Sequence, residues 1–147
     1  MSTGLDVFDT TIQKTNIWLK DMMEALGWDD RHKAWEGLRA TLHALRDRLT
    51  VDEAVHLGAQ LPLLVRGAYY DGWRPSEAPH KVRHLEDFLA PVWTQFRNDP
   101  RVDAEEVARA VFKVLADYIT AGEIEDIRQV LPRELNTLWP MSVQKSG

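Results

Sequence analysis

The 147-residue chain contains no cysteine, which excludes disulfides, thiolate metal sites and a cysteine nucleophile. Its net charge of −5, with basic and acidic side chains interleaved throughout, argues against nucleic-acid binding, because proteins that grip the phosphate backbone need clustered Lys and Arg. Neither a signal peptide nor a run of about 18 apolar residues occurs, so the sequence predicts a globular cytoplasmic protein that crosses no membrane.

The first half of the chain predicts four helices. Apolar residues at three- and four-residue spacing mark the first two. The segment Thr50 to Glu53 has the pattern of a capping box, in which Thr accepts from the third backbone N–H and Glu reaches back, and a short third helix follows. Pro62 ends that helix and starts a fourth, from Leu63 to Tyr70. The predicted buried positions are Ile12, Leu19, Met22 and Leu26; Trp35, Leu38, Leu42, Leu45 and Leu49; and Ala54, Leu57 and Leu61.

The second half repeats the first. When 70 is added to each residue number, capping residues, apolar positions and a proline coincide without a gap. The segment Thr120 to Glu123 repeats the capping box, and Pro132 precedes a fourth short helix from Arg133 to Trp139. Pro91 lies within the first apolar stripe and predicts a kink or break there. The predicted buried positions are Val82, Leu85, Leu89, Val92 and Phe96; Ala108, Phe112, Leu115 and Ile119; and Ile124, Ile127 and Leu131.

These patterns predict an all-α fold: a compact single domain over residues 1–147, with about eight helices from two tandem four-helix repeats related by an approximate two-fold axis. The first repeat spans about residues 6–70 and the second about 80–139, followed by a tail, 140–147. Turn-forming residues make the segment 71–79 a linker. No segment alternates apolar and polar residues as a half-buried strand does.

The chain also resembles a known family. The residues that carry the resemblance are Arg46 to Trp73, including Leu61-Pro62 and Arg66-Gly67-Ala68-Tyr69-Tyr70-Asp71-Gly72-Trp73, with a shorter echo at Val130-Leu131-Pro132-Arg133-Glu134-Leu135 and Leu138-Trp139-Pro140. This pattern resembles the bacterial family called domain of unknown function 2267. The resemblance implies a bacterial, all-helical, single-domain protein and assigns no activity or catalytic residue. Family members tend to sit among stress-associated genes, which implies a role in stress physiology.

Glycines distinguish the two halves. Gly37, Gly58 and Gly67 lie in predicted helices, and the corresponding residues of the second half are not glycine. A glycine inside a helix costs roughly 0.8–1.0 kcal/mol relative to alanine, so the difference needs an explanation. Close packing of helices is one interpretation, and a surface or crevice that binds a partner or ligand is the other. Because Arg and aromatic residues are enriched at binding hot spots, the second interpretation gives the candidate binding residues Arg66, Tyr70, Trp73, Gly58 and Gly67.

Histidines offer one candidate metal site. His80, His84 and Asp87 have the four- and three-residue spacing that would place two imidazoles and a carboxylate on one helix face. The interpretation without a metal is favoured, because His80 follows a proline at a predicted helix start. His56 is interpreted as a solvated or capping residue. The sequence therefore predicts neither a metal nor a cofactor.

Three classes of function remain open at this point. The first is a non-catalytic protein-interaction or adaptor module, including a homo-oligomer, and the second is a regulatory protein that binds a small ligand in a crevice between the repeats. An enzyme is the third class, and the sequence contains no Gly-rich phosphate loop, Gly-x-Ser-x-Gly or His-Glu-x-x-His motif. We therefore expect no catalytic residues, a protein partner or a second copy of the chain, and neither nucleic acid nor membrane as a partner.

Overall fold

A computed structural model describes residues 2–81 and 83–145, so Val82, one of the predicted core positions, lies outside the described residues. Within these ranges the chain forms helices and no strands, which confirms the all-α class. The α-helices are α1 (Asp6–Leu26), α2 (Arg31–Arg48), α3 (Val51–Gln60), α4 (Leu63–Tyr70), α5 (Leu85–Gln95), α6 (Ala104–Tyr118), α7 (Ala121–Val130) and α8 (Met141–Gln144), with 3-10 segments at Pro75–Glu77 and Arg133–Leu138. None of the helices in the described ranges has the length and apolar composition needed to span a bilayer.

The capping boxes define where α3 and α7 begin. The Thr50 hydroxyl oxygen accepts the backbone N–H of Glu53 at 3.2 Å, and that of Thr120 accepts the N–H of Glu123 at 3.3 Å. The reciprocal half predicted for the second box is wrong, because the backbone N–H of Thr120 donates to the Gln60 side-chain oxygen at 2.8 Å instead. The Glu123 carboxyl is therefore not needed as a cap.

Removing the two caps is expected to have unequal effects. Thr50→Ala should lower the free energy of unfolding by about 1 kcal/mol, the usual cost of losing an N-cap. Thr120→Ala should cost more, because its hydroxyl also accepts the Gln60 amide at 3.0 Å across the two halves. Urea titration of both variants, with Thr→Ser at each position as the control that keeps the hydroxyl, measures the difference. Equal losses would show that the Gln60 contact adds nothing.

Helices α2 and α6 form the centre of the core. Every apolar position predicted for α6 is buried, and so are four of the five predicted for α2; Trp35 is half-buried. The first helix of each half packs on the second helix of the other half, so α1 contacts α6 and α5 contacts α2, while α3 contacts α7. An approximate two-fold axis would generate this pairing. The duplication itself stays a prediction.

The two first helices differ from expectation. Ile12 was predicted to be buried and is 39% exposed. In α5 the core position is Phe88, which is fully buried and packs edge-on against Phe112 with ring centroids 6.0 Å apart, whereas Leu85 and Leu89 are only half-buried. Val92 and Phe96 of the predicted stripe are buried as expected, and Phe88, four residues before Val92, takes the inner position that was predicted for Leu85 and Leu89.

Pro91 does not break α5. The helix runs from Leu85 to Gln95 with Pro91 inside it, so the predicted break is wrong. Pro91 lies on the exposed side of the helix, where water can hydrogen-bond the carbonyl that loses its N–H donor. The helix starts at Leu85, well after the predicted boundary near residue 80, and the described residues 78–81 and 83–84 are not helical.

Candidate functional site

Four of the five candidate binding residues come together, at the contact between α3 and α4. Gly58 faces the ring of Tyr70: a Cβ at Gly58 would collide with the Tyr70 hydroxyl and lie 2.7 Å from its Cζ. The Tyr70 ring packs against Tyr69 and Trp73, with centroid distances of 5.0 and 5.5 Å. The absence of a side chain at Gly58 is therefore what admits the Tyr70 ring.

Arg66 caps the C-terminus of α3. Its Nε donates to the carbonyl of Gly58 at 2.8 Å, and its Nη2 donates to that of Leu61 at 3.0 Å. A cation at a helix C-terminus also interacts favourably with the negative end of the helix dipole. These contacts give Arg66, like Tyr70, an intramolecular role in packing α4 on α3.

In the second half, different residues pack at the position that corresponds to Gly58. Arg128 stands where Gly58 stands in the first half, and it donates to the Asn136 side-chain oxygen at 2.9 Å and the Val143 carbonyl at 2.8 Å. In the second half this position is packed by an arginine and the C-terminal segment, and in the first half it is packed by a tyrosine ring over a glycine. The glycine asymmetry at this position is explained by packing.

The remaining two glycines divide between the two interpretations. Gly37 is buried where α2 meets α6, and a Cβ there would approach Val107 Cγ1 to 2.9 Å, so it permits close helix packing. Gly67 is exposed, and a Cβ there would meet nothing within 4 Å. Packing within the described residues therefore does not explain Gly67.

Gly67 opens onto a groove between α1 and α4, which we call the α1–α4 groove. Its volume is about 550 Å³, and its apolar lining includes Phe8, Trp35, Leu63 and Leu64. Phe8, Leu63 and Leu64 are each 45–49% exposed. A hydrogen bond between two lining residues joins the helices: the Leu64 backbone N–H donates to the Thr11 hydroxyl at 2.8 Å.

A second concave surface lies between the two halves. This crevice of about 450 Å³ is lined by Ile17, Trp18, Gln60 and the cationic side chains of Lys14 and Arg66, with Tyr118 contributed by the second half. At its wall the rings of Trp18 and Tyr118 stack directly on each other, with centroids 5.8 Å apart, and Trp18 is only 3% exposed. The lining combines apolar rings with two cationic side chains, of which Arg66 already donates to the carbonyls of α3.

The predicted histidine site does not have its predicted geometry. His80 and His84 lie outside helices, so their four-residue spacing does not place them on one helix face. His84 pairs instead with Glu134, whose carboxylate lies 3.3 Å from the His84 Nδ1. A different group in the described part of the chain brings three potential ligands together: Glu53, His56 and Glu123, whose ligand atoms lie within 4.8 Å of one another.

The two glutamates of this cluster come from equivalent turns of α3 and α7. Each is the third residue after a capping threonine, and the contact of the two helices places the carboxyls side by side. Burial raises the pKa of Glu123 to about 8, and the neighbouring Glu53 carboxyl adds to the rise. His56 Nδ1 lies 3.9 Å from a Glu53 carboxylate oxygen, so the interpretation of His56 as a solvated or capping residue missed this neighbour.

Comparison with known proteins places the chain in a family. The sequence model of the uncharacterized conserved proteins designated DUF2267 matches residues 15–138. The chain belongs to the DUF2267 family. This match includes parts of both halves of the fold. Of the candidate residues named above, it leaves out Phe8, Thr11 and Lys14. No curated protein matches the chain, so the residues of this DUF2267 protein have to indicate its function by themselves.

Proposed function

We propose that this chain is a non-catalytic interaction module that assembles with a second copy of itself through the α1–α4 groove. The observation that supports this most strongly is the stripe of residues along α1. Phe8, Ile12, Thr15, Leu19 and Met22 follow one another at alternating four- and three-residue intervals, the spacing of a helix that packs against another helix. Thr15, Leu19 and Met22 are buried in the core.

The stripe continues past the core into solvent. Phe8 is 48% exposed and Ile12 is 39% exposed, although both belong to the row that α1 buries one turn later. Scattered exposed apolar residues need no explanation, but a continuous row beside an apolar groove marks an interaction surface. An amphipathic helix is the ligand that such a groove accommodates.

A second copy of the chain supplies that helix. The exposed row of α1 and the groove beside it are neighbouring parts of one surface, so a two-fold axis would place the exposed row of each copy over the groove of the other. Such an isologous pairing closes on itself and uses each surface twice. The bacterial origin and stress role implied by the resemblance, and the cytoplasmic location predicted from the composition, stay predictions beside this proposal.

Charges placed in the groove should prevent the assembly. Phe8→Glu and Leu64→Glu are each expected to weaken self-association at least about 30-fold. Each substitution removes an apolar contact of hot-spot size and buries an unpaired carboxylate in its place. Val55→Glu is the matched control, because Val55 on α3 and Leu64 are both 45% exposed. Sedimentation equilibrium over a range of concentrations measures the association constant, and circular dichroism verifies the fold of each variant.

The outcomes are distinguishable. The proposal is supported if the measured mass is twice the chain mass of 16.9 kDa for the parent and for Val55→Glu, but not for the groove variants. A parent that stays monomeric at every concentration overturns it, and so does a dimer that survives both groove substitutions. If the parent is monomeric and the groove variants lose a different bound protein that Val55→Glu keeps, the groove takes a foreign helix instead.

The crevice between the halves favours a second candidate function, a regulator that binds a small ligand. The supporting observation is the Trp18–Tyr118 stack beside Lys14 and Arg66. Native mass spectrometry of the same purified samples tests this candidate. A small anion that stays with the parent and with Leu64→Glu, but is absent from Tyr118→Ala, would favour the crevice over the groove.

A further inference from the structure

The cluster formed by Glu53, His56 and Glu123 joins the two halves of the fold. Glu53 and His56 lie on α3, and Glu123 lies on the facing turn of α7. Their potential ligand atoms, two carboxylate oxygens and an imidazole nitrogen, lie within 4.8 Å of one another. Two carboxylates and an imidazole form a donor set that divalent transition metals accept.

The burial of the carboxyls is the second observation. Glu123 is only 7% exposed, and its Oε2 is buried without a hydrogen-bond partner in the described ranges. The Oε1 of Glu53 is also buried without a hydrogen-bond partner in these ranges. Burying a carboxylate oxygen without a partner is costly, so native structures ordinarily pair it with a hydrogen-bond donor or a cation.

No Lys or Arg among the described residues fills this role. Within residues 2–81 and 83–145, neither Glu53 nor Glu123 forms an ion pair with Lys or Arg, and the histidine is the closest cationic group to Glu53, at 3.9 Å. Two buried carboxylates in contact repel each other when both are ionised. Because burial and the neighbouring Glu53 carboxyl raise the pKa of Glu123 to about 8, Glu123 holds a proton near neutral pH that the two carboxyls can share. A divalent ion would displace that proton and coordinate both carboxylates.

We propose that Glu53, His56 and Glu123 bind one divalent transition-metal ion of the Zn²⁺ or Mn²⁺ type that clamps α3 to α7. The imidazole favours these ions over Mg²⁺ and Ca²⁺, which prefer oxygen donors alone. Bonds of about 2.0–2.2 Å place the ligands of one Zn²⁺ about 3–4 Å apart, and rotation of the His56 side chain, which is 64% exposed, closes the site to that size. The same exposed side gives the ion a path from solvent, and water completes the coordination.

The site predicts a defined response to metal. Calorimetric titration of the full chain with ZnCl₂, and separately with MnCl₂ and MgCl₂, should show one transition-metal ion per chain and no comparable binding of Mg²⁺. Saturating Zn²⁺ should raise the thermal midpoint, because the ion binds only when α3 and α7 are packed together. Glu53→Gln and Glu123→Gln should each weaken Zn²⁺ binding more than about 100-fold, since loss of an outer partner of a ligand alone costs 10–100-fold.

A matched histidine separates this site from adventitious binding. His84 has an exposed side chain next to a single carboxylate, at 3.3 Å, and lacks the second carboxylate that His56 has. His56→Ala should weaken Zn²⁺ binding at least about tenfold, and His84→Ala should leave it unchanged. Both glutamine variants should fold without metal, because the amide removes the repulsion between the carboxyls; circular dichroism verifies this.

Three results would each overturn the proposal. The first is a parent chain that binds no Zn²⁺ with a dissociation constant below about 100 µM, near 5.5 kcal/mol of binding free energy. The second is Zn²⁺ affinity that is unchanged in folded Glu53→Gln and Glu123→Gln. The third is equal loss of affinity in His56→Ala and His84→Ala, which would assign the binding to exposed histidines in general. The groove variants of the self-association test leave this site intact, so the two proposals stand or fall separately.

Discussion

Leu45→Ala and Leu115→Ala are each expected to lower the free energy of unfolding by about 2–5 kcal/mol. Both side chains are fully buried, on α2 and α6, the two helices at the centre of the core. Truncating either one removes apolar contacts and leaves a cavity, because helices anchored on several neighbours cannot collapse to fill it. A small domain is stabilised by only about 5–15 kcal/mol in total, so either change removes a large fraction of the stability.

Urea denaturation followed by circular dichroism measures these losses. Val55→Ala is the control, since Val55 is 45% exposed and its truncation should change the free energy of unfolding by less than about 0.5 kcal/mol. Losses below about 1 kcal/mol for both leucine variants would contradict the assignment of α2 and α6 to the centre of the core.

Periodicity was enough to predict this core. Helix stripes and capping boxes depend on residues three or four positions apart, and the sequence contains that information directly. Both capping threonines accept the predicted N–H, and all the apolar residues predicted for α3, α6 and α7 are buried. The prediction was wrong where the neighbouring helix decides which face is inside: α5 turns Phe88 toward Phe112, and the first turns of α1 extend beyond the core.

The cluster of ligands could not be predicted in this way. Glu53 and Glu123 are separated by 70 residues, and a sequence separation of that size says nothing about distance unless the symmetry of the fold is known. Each glutamate also had a sufficient local explanation as a capping residue, and so its partner in the other half was not sought. A signal was nevertheless present: if the predicted two-fold axis relates the two halves, identical residues that lie beside the axis meet. The same glutamate in both capping boxes indicates such a position.

The candidate binding residues were predicted to be neighbours, but the direction in which each glycine faces was not predicted. The sequence grouped Gly58, Arg66, Tyr70 and Trp73 correctly as neighbours, because α4 directly follows α3, but Gly67 lies apart from them on the α1–α4 groove. It could not decide whether a helix glycine faces another side chain or solvent, since that depends on the rotation of each helix against its neighbours. Gly58 faces a tyrosine ring and Gly67 faces the open groove.

Alanine substitutions at these two glycines should therefore change stability in opposite directions. Gly67→Ala adds a methyl group to a helix where nothing lies within 4 Å, so it should raise the free energy of unfolding by about 0.5–1 kcal/mol through helix propensity. Gly58→Ala brings the same gain in propensity but drives Cβ into the Tyr70 ring. Overpacking of this kind typically costs about 1–3 kcal/mol, so Gly58→Ala should be destabilising on balance.

A double-mutant cycle attributes the difference to Tyr70. In a Tyr70→Ala background the ring is gone, and Gly58→Ala should become stabilising by about 0.5–1 kcal/mol, as Gly67→Ala is in the parent. Chemical denaturation of the four variants, at a concentration where each is monomeric, provides the coupling energy. If Gly58→Ala stabilises the parent as much as it stabilises Tyr70→Ala, the ring does not need the space that glycine leaves. The asymmetry between the halves at this position would then have no basis in packing, and the Arg66 to Trp73 segment would again be a candidate for a partner outside the chain.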